Sequence, residues 1–564
     1  MSADIDIQFL PEECWECVLT FLNKQKYHHY MESVSLVSKQ FLSITNRIRS
    51  TLAISDHTLP FLPLLLHRFP NLTSLEFTHF YDFLDTVLFQ ISRYPLRRLT
   101  SLNISHRAPF PTDGLRALAE NTKTLTSLNC SDMDYLSYYD FLFITNSFPF
   151  LEELDISHLK SRGIEPLPKL LRKVNLSGGS FITDAELISA CKNCKFLEEL
   201  VIFQCPLLTQ RGIASAIRQR PGLRSFSVEL TKSVIVTKSF IGSLVSLKNL
   251  TCLDFKDSCI SDKLLCSVAE EGLPLRKLVL NRCRNYTYSG ILYLLSRCQF
   301  VQHLGLQYAE FLNDQLLTEL SIFLGSLISI DIRRCGILTD SPLFALIRNC
   351  PLLNEIKLEG TDIGKKKVKY SNSFMNCFVN PQVKSLHLAW NPSLRDESIK
   401  MLSSICPNLQ MLDLNYSGGN QISEAVVGVL RRCCKMRHLI LGYHSRVKLH
   451  QMNFDVPNLE VLSFASSGID NQTLSVVSKN FCGLLYLDLY NCRSVTTKGV
   501  REIVENCKNL REINLSHCYK VNGSVVAWMV SSRPSLRKIV PPPDFKRSAS
   551  QSELFLRHGC RVCW

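Results

Sequence analysis

LISIDIRRC, residues 327–335, sets Leu327, Ile330 and Ile332 against Ser329, Asp331 and Arg333. Such alternation is the pattern of a half-buried strand, with the first three side chains inward and the second three outward. Two arginines then stand side by side, Arg333 and Arg334. Their purpose is not legible from one strand, so the stretch has to be compared with its copies.

Reduced to apolar residues at positions 1, 4 and 6 of a nine-residue frame, the stretch recurs nineteen times. The frames open at Leu72, Leu99, Leu125, Leu151, Leu171, Leu197, Leu223, Leu250, Leu275, Val301, Leu327, Leu353, Val383, Leu409, Met436, Leu459, Leu484, Leu510 and Leu536. Most spacings are 25 to 27 residues, the period of a leucine-rich repeat with one strand and one helix per unit. The filler is helical. In ITDAELISACKNCKFLEEL, Asp184 is placed to cap a helix whose Leu187, Ile188 and Cys191 return at helical spacing, and Asp340 or Ser341 does the same before Pro342. The expected fold class is α/β: a curved solenoid with a parallel inner sheet and outer helices. Two units depart from the period. Only 20 residues separate Leu151 from Leu171, with two prolines in KSRGIEPLPK, so that unit is expected to lack a full helix. Thirty separate Leu353 from Val383, where GTDIGKKKVKYSNS is expected to protrude at the rim of the inner face.

Composition narrows the class further. The chain has 564 residues, 46% hydrophobic and 20% charged, an ordinary globular balance that grows by repetition. No run of eighteen apolar residues occurs and the first residues are acidic, so neither a membrane span nor a secretory signal is read. The chain is accordingly expected in the nucleus or cytoplasm. The 23 cysteines are expected as free thiols. Cys205, Cys259, Cys283, Cys335, Cys492 and Cys518 close a frame at or next to position 9, and Cys194, Cys298, Cys350, Cys406, Cys433 and Cys507 end the following helix, which makes them parts of the repeat. No metal site is expected. The N-x-S sequences at Asn103, Asn129, Asn175 and Asn514 fall in strands and do not read as glycosylation sites. The net charge of +14 is spread along the chain without basic blocks interleaved with aromatics, so neither nucleic acid nor membrane is an expected partner.

Residues 1–48 carry no strand frame. FLPEECWECVLTFL opens with Pro11, Glu12 and Glu13 and continues with Trp15, Val18, Leu19 and Leu22 at helical spacing; SVSLVSKQFLSI follows a polar turn containing His28 and His29. About forty residues make too small a core to stand alone, so the segment reads as a helical docking module joined to the repeats. Residues 49–72 read as a capping repeat within a solenoid running from 49 to 540, and 541–564 as a C-terminal tail whose apolar part covers the last repeat.

LPEECWECVLTFL followed by SVSLVSKQF resembles an F-box. The matching residues are Leu10, Pro11, Glu12, Val18, Leu19, Leu22, Leu36, Val37, Ser38, Lys39 and Phe41, with Phe41 where many members carry Trp. Joined to cysteine-bearing repeats, the chain resembles the F-box/leucine-rich-repeat proteins, above all the plant group of about eighteen repeats that includes the auxin and jasmonate receptors. The resemblance implies a non-catalytic substrate receptor of an SCF-type ubiquitin ligase. Its F-box would bind a Skp-family adaptor, and through it cullin and a RING subunit, by way of Leu10, Pro11, Trp15, Val18, Leu19, Leu22, Leu36, Val37 and Phe41. The repeats would hold an unidentified protein for degradation.

Positions 3, 5, 7 and 8 of each frame are expected to face out of the inner sheet. Early repeats place small polar residues there; later ones place Lys256, Arg282, Tyr308, Arg333, Arg334, Lys357, Trp390, Tyr416, Tyr443 and Tyr490. Tyr, Trp and Arg dominate interface energetics, so this set is the candidate substrate surface. Lys365, Lys366, Lys367 and Lys369 lie on the nearby insertion. The basic members could hold an acidic or phosphorylated segment, or an inositol polyphosphate as the plant receptors do, although Asp254, Asp257, Asp331 and Glu359 stand among them as alternative partners. No phosphate loop, H-E-x-x-H helix or G-x-S-x-G elbow occurs. His438, His444 and His450 do not share a helical face, and Cys560 and Cys563 form a lone C-x-x-C. A small-molecule-gated receptor and a non-degradative scaffold of the same architecture are the rival readings.

Overall fold

A computed structural model describes residues 11–563 apart from 25–27, 57, 79–83, 106–108, 134, 161–162, 231–233, 366–378, 419–421 and 446. The chain divides into two compact units, one of residues 1–231 and 237–249, the other of 232–236 and 250–564. Each is a leucine-rich-repeat stack. In the first, eight strands from Thr51–Ile54 to Ser225–Val228 pair in parallel, in chain order. In the second, thirteen strands from Cys252–Lys256 to Arg561–Val562 do the same.

Every one of the nineteen frames yields a strand, and every strand begins two residues after the frame opens, as in Ser329–Asp331 after Leu327. Pairing is in register, position 3 to position 3, so Ser329 lies beside Glu355 and Ile330 beside Ile356. Leu327, Ile330 and Ile332 are fully buried, and each such side chain contributes about 1.5–3 kcal/mol by leaving water. The sheet also continues past residue 540. Helix Ala549–Arg557 buries Phe555, and Arg561 and Val562 then pair with Lys538 and Ile539. Within the short unit between Leu151 and Leu171 no helix stands among the described residues.

Three recurrent polar devices hold the repeats in step. At position 5, Asn or Asp accepts from the backbone N–H two residues on: Asn103 from Ser105 at 3.0 Å, Asn129 from Ser131 at 2.8 Å, Asp488 from Tyr490 at 3.0 Å. This Asx turn ends the strand and accounts for the N-x-S sequences. At position 9 a small donor reaches back to the position-6 carbonyl of the preceding repeat. Cys335 does so toward Leu306 at 3.3 Å, Cys492 toward Phe464 at 3.1 Å, Ser467 toward Leu441 at 2.7 Å and His444 Nε2 toward Leu414 at 2.8 Å. The buried position-9 cysteines and the buried histidine thus have the same task. At the helix starts, the cap expected of Asp184 is made instead by Thr183, whose hydroxyl accepts from Glu186 N–H. Asp184 ties the next repeat, accepting from Thr209 N–H at 2.8 Å and Thr209 Oγ1 at 2.6 Å; Asp262 and Thr287 repeat this pair, as do Asp314 and Thr339. Asp340, likewise not a side-chain cap, accepts from Gly364 N–H at 3.0 Å.

The N-terminal module consists of helices Glu12–Lys24, His28–Ser35 and Lys39–Ile48. Ser38 caps the third by accepting from Phe41 N–H at 3.1 Å. Trp15 packs on Phe41 with ring centroids 5.0 Å apart, and Arg47 reaches Glu12 at 2.5 Å and Glu16 at 3.1 Å. Asn71 donates to the Arg47 carbonyl at 3.0 Å, fastening the module to the first repeat.

Candidate functional site

Two surfaces come into question. The first lies on the helical module. Leu36 is 84% exposed, Val37 68% and Val18 44%, and Phe21, which the motif comparison missed, is exposed one turn after Val18. Pro11 is exposed, Leu22 half-buried, and Trp15 and Phe41 partly occupied by each other. Leu19 stands apart from this set. It is 2% exposed and belongs to the core of the module, so it shapes the docking surface without reaching it. Leu10 lies outside the described residues. An i, i+3 apolar pair facing water, together with an exposed Leu-Val dipeptide in the same small module, is unstable to leave uncovered and suits a helical partner.

The second surface runs along the later repeats. From Asp257 to His517 position 8 of each frame has a left-handed backbone: φ is 58° at Arg282, 62° at Tyr308, 60° at Arg334, 60° at Trp390, 56° at Tyr416 and 63° at Tyr443, with Gly360 at 68°. The reason is geometric. The chain turns off the sheet there while its N–H stays in the ladder, Tyr308 donating to the Arg333 carbonyl at 3.0 Å and Trp390 to that of Asn415 at 2.8 Å. The turn presents the side chain at the edge of the inner face, and Tyr308, Trp390, Tyr416 and Tyr443 are each about half exposed. Trp390 and Tyr416 stack at 4.5 Å and 27°, and Tyr443 follows Tyr416 at 5.7 Å. Arg334 lies over Trp390 at 5.7 Å, and Arg282 over Tyr308 at 5.5 Å. Tyr490, at position 7, is half-buried and packs on His517 instead.

The basic residues of the inner face are engaged within the protein. Arg333 forks onto Asp331 at 2.9 and 2.7 Å and approaches Glu359 at 3.6 Å. Lys357 meets Glu355 at 3.1 Å, Lys277 meets Asp254 at 3.8 Å, and Arg282 meets Asp257 at 3.1 Å. Burial holds Glu359 up to about 7, opposed by Arg333, and also raises Asp254 and Asp413. A depression of about 400 Å³, opened where Gly305 has no side chain, is lined by Lys277, His303 and Lys357 but also by Asp331 and Glu355. Carboxylates at this density do not fit an inositol polyphosphate, which needs cations left unneutralised. Lys365 pairs with Asp362 at 2.9 Å; Lys366, Lys367 and Lys369 lie outside the described residues. Among the described residues no group of three or more His, Cys, Asp or Glu is placed to hold a metal ion, and no helix is long and apolar enough to cross a membrane.

The architecture is that of a leucine-rich-repeat protein, and the sequence relatives sharpen this. The chain is 26% identical over 211 residues to F-box/LRR-repeat protein 4 of Bos taurus, covering 36% of this chain and 33% of that protein. It is 23% identical over 397 residues to the BTB/POZ domain-containing protein FBL11 of Arabidopsis thaliana, covering 63% and 40%. GRR1-like protein 1, also of Arabidopsis thaliana, is 24% identical over 345 residues, covering 54% and 55%. By sequence, then, this chain is related to F-box/leucine-rich-repeat proteins, and its matches span between a third and about half of their length. No family model matches it.

Proposed function

We propose that the chain is the substrate-recognition subunit of an SCF-type ubiquitin ligase, acting in the nucleus or cytoplasm. The module of residues 11–48 docks a Skp-family adaptor, and through it cullin and a RING subunit, while the later repeats hold the protein to be degraded. Ubiquitin transfer then belongs to other subunits, and the part of this chain is to bring the protein to be degraded to them. The observation that carries this reading is the exposure of four apolar side chains, Val18, Phe21, Leu36 and Val37, on a module otherwise closed by its own core and ion pairs. Each such side chain covered by a partner helix contributes about 1.5–3 kcal/mol to docking. The test is co-purification of the full chain with a Skp-family adaptor, beside a Leu36→Asp, Val37→Asp variant. A complex formed by the wild type and lost in the variant is expected; no complex with the wild type sinks the reading.

A further inference from the structure

The basic side chains of this surface are not all satisfied alike. Arg333, Lys357 and Arg282 are neutralised by carboxylates of neighbouring residues. Arg334 is exposed, and among the described residues it makes no ion pair; its guanidinium rests on the Trp390 ring. The indole N–H of Trp390 and the phenol O–H groups of Tyr416 and Tyr443 likewise have no hydrogen-bond acceptor among the described residues. The edge from 334 to 443 is therefore a row of donors carrying one positive charge.

The backbone says that this row is not there for the fold. Left-handed φ costs an ordinary residue about 1 kcal/mol, and Gly, Asn, Asp and His bear it best. In the same unit position 8 obeys that preference at Asp257, Gly360, Asn491 and His517, and departs from it at Arg282, Tyr308 and Ser466 as well as along this row. Arg334, Trp390, Tyr416 and Tyr443 break it over five successive repeats, interrupted only by Gly360. Stacking between the rings returns part of the cost, about 0.5–1.5 kcal/mol per pair, but a row of Asn and Gly would not incur it.

We propose that Arg334, Trp390, Tyr416 and Tyr443 bind an extended peptide segment bearing an unmodified Asp or Glu; this rests on the substrate-receptor reading above. Arg334 takes the carboxylate, and the indole N–H and phenol O–H groups take backbone carbonyls further along. The row covers four strand spacings, about 19 Å, which an extended segment of about six residues spans. Among the described residues of this row one guanidinium is spare, and it matches one carboxylate. A phosphate carries close to two charges and calls for a second free cation, and Arg333 and Arg282 are already engaged.

The test uses the full chain purified with its adaptor. Random dodecapeptides displayed on phage are selected against the complex, and the best binder is synthesised in three versions, with Asp or Glu, with the matching amide, and with phosphoserine at the acidic position. Acidic peptides are expected to be enriched, with the amide version binding at least tenfold more weakly. Arg334→Gln should lose the same tenfold and no longer distinguish acid from amide, and a Tyr416→Ala, Tyr443→Ala variant should weaken all versions. Melting temperatures establish that both variants are folded. Absence of acidic enrichment, tighter binding of the phosphoserine version, or a binder indifferent to Arg334→Gln would each overturn the proposal. Adaptor co-purification is scored on the same samples. A complex that holds while peptide selection fails therefore refutes this inference alone, and loss of the complex refutes the receptor reading.

Discussion

Arg334 reaches Trp390 across a repeat that contributes no side chain between them. The two residues occupy position 8 of non-adjacent frames, and the residue in between is Gly360. A Cβ built on Gly360 would stand 2.8 Å from Arg334 Cδ and 3.0 Å from its Nε. The glycine thus serves twice, bearing φ of 68° without strain and leaving the channel through which the guanidinium lies over the indole. This answers the question of the paired arginines. Arg333 is spent inside the sheet on Asp331, whereas Arg334 is carried along the edge.

Gly360→Ala is expected to destabilise the protein by about 1–2 kcal/mol, from the left-handed conformation together with displacement of Arg334. Urea unfolding of the variant beside the wild type checks this. An unchanged midpoint would mean that Arg334 moves aside freely.

The exposed Asp132 isolates the conformational part, since it sits at φ of 59° and its side chain makes no hydrogen bond or ion pair among the described residues. Asp132→Val should cost about 1–2 kcal/mol and Asp132→Asn almost nothing, although a surface substitution ordinarily stays within about 0.5 kcal/mol. Equal melting of the two variants would contradict the left-handed assignment of position 8.

On the helical module, Leu19→Asp and Leu36→Asp should fail in different ways. Leu19 is buried, so a carboxylate there unfolds the module, at a cost of about 3 kcal/mol or more. Leu36→Asp should leave helicity and melting unchanged and reduce only adaptor binding. Circular dichroism together with co-purification separates the two.

Glu359 gives the later repeats a pH dependence. Its folded-state value is held up to about 7 by burial, above the ordinary 4.5, so the native state retains a proton that the unfolded chain gives up. This contribution to stability is full below pH 4.5 and is lost as pH rises through 7. Glu359→Gln should therefore raise the melting temperature at pH 8 and leave it unchanged near pH 4.5. A variant less stable at pH 8 would show that the Arg333 contact outweighs burial.

Thiol labelling tests the reading of the cysteines. Burial pushes Cys335, Cys350, Cys492 and Cys507 up to about 12, and each is inaccessible, whereas Cys14, Cys17, Cys434 and Cys482 are exposed. Brief N-ethylmaleimide treatment at pH 7.5, followed by mass spectrometry, should modify the second group and spare the first. Labelling of Cys335 in the native protein would contradict its hydrogen bond to Leu306.

What the amino-acid order determines by itself is the ladder. A period of 25 to 27 residues with apolar positions 1, 4 and 6 allows one arrangement that buries the side chains at those three positions in every frame, because a shift by one residue would turn each of them to water. All nineteen strands accordingly fall where the frame puts them. The motif likewise brought out Leu36 and Val37, since an apolar pair in a short link between helices has little core to enter. It could not separate Leu19 from Val18. Both lie on the apolar side of one helix, and only the packing of the third helix against the first decides which is enclosed.

The division between Arg333 and Arg334 was equally closed to sequence. Neighbours in the chain, they part because one follows the Asx turn of Asp331 and folds back on its carboxylate, while the next takes a positive φ that carries its side chain away. The caps assigned to Asp184 and Asp340 failed for a related reason: their acceptors face donors from the following repeat, 24 or 25 residues away. Periodicity fixes which residues share a face. Which charges on that face are already satisfied depends on contacts between repeats, and those exist only in the folded stack.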